Sequence, residues 1–167
     1  VLVEFYIKMK RNIFLSQIGT TFAAAALAPN LISCVQKQAQ KIRGLKNWAG
    51  NYTYQADEVR YPHTVEELAK LLKSQTKSKA LGTQHCFNDI ADNPGMQLST
   101  RNLNSIIELN QASSFVIVES GIKYGDLGKE LHSKGWALHN LASLPHISVG
   151  GSCATATHGS GVKNGNL

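Results

Sequence analysis

Residues 143–161 read Ser143-Leu144-Pro145-His146-Ile147-Ser148-Val149-Gly150-Gly151-Ser152-Cys153-Ala154-Thr155-Ala156-Thr157-His158-Gly159-Ser160-Gly161, nineteen positions without one Asp, Glu, Lys or Arg. So many Gly, Ser and Thr let backbone come close to another group. Free N–H groups and hydroxyls in such a stretch suit an anion such as a phosphate. No Gly-Lys-Ser/Thr stands at Walker spacing and no G-x-G-x-x-G follows a strand-like run, which disfavours P-loop and Rossmann sites. On composition alone, a Gly/Ser-rich surface loop is the competing reading. The residues before it carry the periodic apolar patterns.

Those residues alternate between strand-like and helix-like pieces. Val59-Arg60-Tyr61 is short and β-prone, and Pro62 confines it to an edge or an end. Thr64-Val65-Glu66-Glu67 reads as a capping box, and Val65, Leu68, Leu71 and Leu72 continue at helical spacing, which predicts an amphipathic helix over 64–75. Lys79-Ala80-Leu81 reads as a strand, as do residues 105–109 and 114–119. A second helix is expected from Tyr124 to Ser133, with Leu127 and Leu131 on one face and Gly135 ending it, and a short strand at Trp136-Ala137-Leu138. At 167 residues and 43% hydrophobic, the chain has the size and composition of one globular domain of mixed α and β.

The net charge of +6 is not spread evenly. Residues 1–50 hold seven Lys or Arg against the single acid Glu4, and the remainder is balanced at ten of each sign. A nucleic-acid footprint should lie on the folded surface, so no nucleic-acid partner is expected. Met9-Lys10-Arg11 followed by an apolar stretch from Ile13 to Ile32 has the order of an export signal, with the true start expected at Met9. Leu31-Ile32-Ser33-Cys34 resembles a bacterial lipobox, which would make Cys34 a lipid anchor. Lys10-Arg11-Asn12 resembles a twin-arginine signal broken by Asn12. A retained membrane anchor is the alternative, although Gln17, Pro29 and Asn30 interrupt the run. The expected organisation is a signal over 1–34, a basic connector over 35–54 and a folded domain over 55–167, with the protein periplasmic or membrane-anchored. Cys34, Cys86 and Cys153 form no even framework, and Cys86 and Cys153 are expected as small buried thiols. His139, His146 and His158 match no zinc spacing, so no metal is expected, and His139 is read as structural.

A second polar segment precedes the first in the chain: Ala80-Leu81-Gly82-Thr83-Gln84-His85-Cys86-Phe87-Asn88, a strand running into a turn. Together with Ser143-Leu144-Pro145-His146-Ile147-Ser148-Val149-Gly150-Gly151 and Thr157-His158-Gly159-Ser160-Gly161, it resembles the flavin domain of the vanillyl-alcohol-oxidase superfamily. Within that superfamily the resemblance is to alditol (xylitol) oxidases and the related sugar-lactone oxidases. Asn47-Trp48-Ala49-Gly50-Asn51 also resembles the opening of alditol oxidases. The likeness runs over about residues 46–167 and implies an α+β, PCMH-type FAD-binding fold, two small α+β subdomains gripping the cofactor.

By that resemblance His85 is the covalent flavin ligand, joined through the 8-methyl group, which needs a nucleophilic imidazole nitrogen. Ala80, Leu81, Gly82, Thr83, Gln84 and Cys86 form the turn that holds the pyrophosphate. Ser143 is the catalytic candidate beside the flavin's reactive centre, and Ser148, Gly151, Thr155, Ala156, Thr157 and His158 are further flavin contacts. His146 and His158 are expected to shape backbone or lie near the flavin. Gln84 stands where relatives carry a small residue and Cys86 where they carry Ser, and neither change removes a backbone donor. Leu144 occupies the place of a second linking cysteine, so a single covalent link is expected. The implied reaction oxidises the CH–OH group of a sugar alcohol to an aldehyde and reduces O2 to H2O2. The alternatives are a sugar-1,4-lactone oxidase or dehydrogenase, or a non-catalytic flavin-binding remnant. The resemblance further implies that a substrate domain and a segment completing the flavin domain follow Leu167, without which turnover is not expected.

Overall fold

The computed structural model describes residues 44–75 and 77–167. The export signal, Cys34 and the first part of the connector lie outside the described residues. The fold is α+β in two parts. Strands β1 (Glu58–Arg60), β2 (Ser78–Leu81) and β3 (Met96–Ser99) form a parallel sheet in the order β1-β3-β2. β4 (Ile106–Asn110) and β5 (Phe115–Val118) form an antiparallel pair, irregular between Ile106 and Glu108. Helix α1 (Val65–Ser74) lies between β1 and β2, α2 (Tyr124–Ser133) follows β5, and α3 (Val149–Ala154) follows a long loop.

Local chemistry sets the helix ends. Thr64 Oγ1 accepts from the Glu67 N–H at 3.1 Å, as the capping box requires. The Glu67 carboxylate reaches back one residue further than the motif predicts and accepts from the His63 N–H at 2.7 Å. α2 has the limits that its periodicity gives, and Leu127 and Leu131 are fully buried. They pack with Val116, Ile122, Tyr124, Ile147 and Val149 into one core, and each such Leu contributes about 1.5–3 kcal/mol. A second core gathers Tyr54 with Val59 of β1 and Leu81 of β2.

Several expectations are corrected. Residues 136–138 form no strand: Trp136 and Leu138 pack individually against the α2 core. β3, which no sequence pattern announces, is the central strand of its sheet and is buried along its whole length. Part of the Gly/Ser-rich stretch is helix α3, held by tertiary contacts and not by propensity. Cys86 and Cys153 are free thiols, but Cys86 is only half-buried and Cys153 is exposed. Residues 44–54, read as connector, pack against the fold: Lys46 and Thr53 form an antiparallel bridge, and Tyr54 enters the second core.

Candidate functional site

β2 ends at the buried Leu81, and Gly82 begins the loop that carries His85. A Cβ on Gly82 would stand 3.1 Å from Ser148 Oγ and 3.4 Å from Gly151 Cα, and one on Gly151 would stand 3.0 Å from the same Oγ. Two segments some 65 residues apart thus meet where a Cβ on either glycine would crowd the Ser148 hydroxyl. The Ser148 N–H donates to Thr83 Oγ1 at 3.3 Å and ties them together. Ser148 Oγ is buried without a partner. Among the described residues, the N–H groups of residues 82–86 donate to nothing. A buried hydroxyl left unpaired costs free energy that a ligand can recover, and the N–H groups beside it are half-exposed donors within reach of the same ligand. A cleft of about 440 Å³ opens here, lined by Gly82, Thr83 and Ser148 together with Arg101, Lys123 and Asp126. Free donors with two cations against one acid favour an anionic group.

Further along the same loop three rings gather. Trp48 stacks on His85 with centroids 4.8 Å apart, and His146 lies 4.7 Å from His85 and 6.1 Å from Trp48. Both His85 Nε2 and His146 Nε2 are buried without a partner. Burial and, secondarily, the neighbouring His146 lower the pKa of His85 from its ordinary 6.5. The ring is therefore neutral at pH 7 and keeps a nitrogen uncommitted, as a nucleophile requires.

The structure thus brings Gly82, Thr83, Ser148 and Gly151 to one junction, with Gln84, His85 and Cys86 continuing from it. Ala80 and Leu81 reach it as the end of β2. Ser143 is exposed in the loop before Pro145, and no hydrogen bond joins it to the 80–86 turn among the described residues. Thr155, Ala156 and Thr157 wrap the end of α3. The Thr155 hydroxyl donates to Gly151 O at 3.2 Å, the Thr157 N–H donates to Ser152 O at 2.9 Å, and Ala156 takes a left-handed φ of 51°. His158 is exposed, and its Nδ1 lies 3.0 Å from Gly159 O. Among the described residues no three His, Cys, Asp or Glu side chains converge as a metal site would need.

Sequence patterns give no role to Trp48 and only a loose one to His146. Their contact with His85 spans 37 and 61 positions, which no local pattern reports. Arg101 and Lys123 are equally silent in the sequence, because isolated bases carry no signal until folding lines them along one cleft.

Residues 56–167 match the family model described as FAD binding domain. An alditol oxidase of Streptomyces sp. is 46% identical over 124 residues, covering 72% of this chain and 30% of that protein. An L-gulono-1,4-lactone dehydrogenase of Mycobacterium tuberculosis is 32% identical, covering 72% of this chain and 29% of that one. The chain thus spans about 30% of the length of these curated relatives. Among solved structures, cholesterol oxidase from Brevibacterium sterolicum superposes with a TM-score of 0.62 at 19% identity, covering 83% of this chain and 28% of that one. That likeness is one of fold.

Proposed function

The chain belongs to the FAD binding domain family, and from that premise we propose that it is the cofactor-holding part of an oxidoreductase acting on sugar alcohols. The substrate's CH–OH group is oxidised to an aldehyde and O2 is reduced to H2O2. The observation that carries the reading is the junction of Gly82 with Ser148 and Gly151, where free N–H groups and an orphaned hydroxyl face a cleft lined by Arg101 and Lys123. These residues fit FAD: the donors of the 80–86 turn suit its pyrophosphate, and the uncommitted nitrogen of His85 suits a covalent bond to the ring. When bound, the flavin supplies the hydride acceptor and the route of electrons to O2.

In this reading the chain's own residues bind and orient. Gly82, Thr83 and Ser148 hold the phosphates, Gly151 and residues 155–158 complete the wall, His85 tethers the ring, and Ser143 orients the substrate hydroxyl. Export through the leader, with Cys34 as lipid anchor, suits a tethered cofactor, which is not lost outside the cytoplasm. Cell fractionation of a Cys34→Ser variant tests that anchor, and an unchanged membrane fraction would count against it.

The purified full-length protein should give a fluorescent band on a denaturing gel, and His85→Ala should abolish it. A non-fluorescent wild-type band overturns the tether. The second reading, a sugar-1,4-lactone oxidase or dehydrogenase, draws on the 32% identity to the gulonolactone enzyme. Peroxide release with xylitol against an aldonolactone separates the two, and turnover of the lactone alone would replace the first reading by the second.

A further inference from the structure

Residues 46–53 form a small hairpin that grips the His85 loop from one side. The Trp48 N–H donates to Gln84 O at 2.8 Å, Asn47 Nδ2 donates to Cys86 O at 2.9 Å, and Asn51 Nδ2 donates to Phe87 O at 3.1 Å. In return, Gln84 Nε2 donates to Lys46 O at 3.3 Å. In a trans peptide the carbonyl and the following N–H point in opposite directions, and no cis bond occurs among the described residues. Holding the carbonyls of Gln84, Cys86 and Phe87 therefore turns the N–H groups of His85, Phe87 and Asn88 away from the hairpin.

The grip also sustains a conformation that the loop does not favour by itself. Gln84 has a φ of 65°, a left-handed geometry costing a non-glycine residue roughly 1–2 kcal/mol. Asn47 spends its whole amide on holding the loop and the hairpin together. It is 4% exposed, its Oδ1 accepts from the Tyr52 N–H, and its Nδ2 serves Asn51 Oδ1 and Cys86 O. Trp48 is different. Its indole stacks on His85 with the ring planes 28° apart, yet it is 58% exposed, so it belongs to neither core. A large apolar ring left in water contributes little to folding there, whereas its face fixes the plane of the imidazole.

We propose that the 46–53 hairpin is a positioning strap for flavin attachment: Asn47 fixes the loop's carbonyls, and Trp48 sets the plane in which His85 presents its free nitrogen. Trp48 is a positioning residue, acting through His85. The inference rests on the reading of His85 as the flavin tether. Attachment exchanges one imidazole N–H hydrogen and one 8-methyl C–H hydrogen for a C–N bond, and O2 takes up both hydrogens as H2O2. What the strap supplies is alignment, and misplacing a reacting group by about 1 Å can slow a reaction roughly 100-fold.

The test uses the full-length protein prepared free of flavin, incubated with FAD in air, and follows the fraction of flavin that stays with the polypeptide after denaturation. Trp48→Ala should slow attachment about 10- to 100-fold, while Trp48→Phe, which keeps an aromatic face, should stay within about threefold of wild type. Melting curves and noncovalent FAD affinity should be close to wild type in both, since the indole lies outside both cores. Attachment at the wild-type rate in Trp48→Ala overturns the strap, and so does equal loss in the Ala and Phe variants. Wild-type protein that attaches no flavin, or a His85→Ala variant that still does, overturns instead the tether on which the inference stands.

Discussion

A single imidazole shows how much of the site is decided by surroundings. His85 has its pKa lowered from 6.5, first by burial and then by the positive charge that His146 can carry 4.7 Å away. An unfolded chain takes up the proton near 6.5 and the folded one only at lower pH, so between those values the unfolded state binds more protons. The stability contributed by neutral His85 is therefore complete above pH 6.5 and is lost as pH falls through the folded value. His146→Ala removes the charge and should move the His85 titration up towards 6.5, read from its ring proton shifts by NMR. A wild-type His85 titrating at or above 6.5 would contradict this account of the site.

At the scale of elements, two helical glycines separate intrinsic propensity from packing. Gly128 in α2 has nothing within 4 Å of where a Cβ would stand, so Gly128→Ala should stabilise the fold by about 0.5–1 kcal/mol. Gly150 in α3 is the opposite case, because its Cβ would lie 2.8 Å from Ser120 Cβ and 3.0 Å from Ser120 O. There the helix-propensity gain of about 1 kcal/mol is outweighed by overpacking of about 1–3 kcal/mol, so Gly150→Ala should melt lower than wild type. Denaturant titration of both variants checks the pair, and a stabilised Gly150→Ala would show that Ser120 yields easily. The same contrast explains what could be read in advance. α2 was legible because its apolar residues repeat at helical spacing, and α1 because Thr64 and Glu67 announce its start. α3, Val-Gly-Gly-Ser-Cys-Ala, carries no such signal and is held by the burial of Val149 and Ser152 and by the close approach of Gly150 to Ser120. β3 was invisible for another reason: a central parallel strand usually reads as an apolar run, but Met96-Gln97-Leu98-Ser99 buries two polar side chains. Gln97 Nε2 donates to Ala91 O at 2.7 Å, a partner that no sequence pattern reveals, while its Oε1 stays buried without one. For the site, each polar segment was legible by itself, whereas the strap and the His85–His146 contact depend on folding.

For the whole molecule, the Gly82–Gly151 approach and the Ser148 N–H bond to Thr83 Oγ1 join the loop after Leu81, a member of one core, to the start of α3, whose Val149 belongs to the other. A ligand held there touches both halves, so its binding energy should appear as stability of the whole. In a His85→Ala background, where FAD stays exchangeable, FAD at about 100 times its dissociation constant should add about 2.7 kcal/mol, or roughly 5–10 °C in melting temperature for a domain of this size. Gly82→Val tests whether the junction is the route of that coupling. Its first branch would press on Ser148 Oγ, already 3.1 Å from a Cβ at that position, and its methyl groups would fill the space beside Gly151 Cα. Both cores stay intact, so the flavin-free variant should melt only slightly below its Gly82 parent. The shift on adding FAD should disappear, because the loop can no longer approach α3 closely enough to close around phosphate. Melting curves with and without FAD, on the full-length His85→Ala protein with and without Gly82→Val, measure both quantities together. An FAD shift as large with Gly82→Val as without it would place the phosphates elsewhere and leave the glycine pair with a packing role alone.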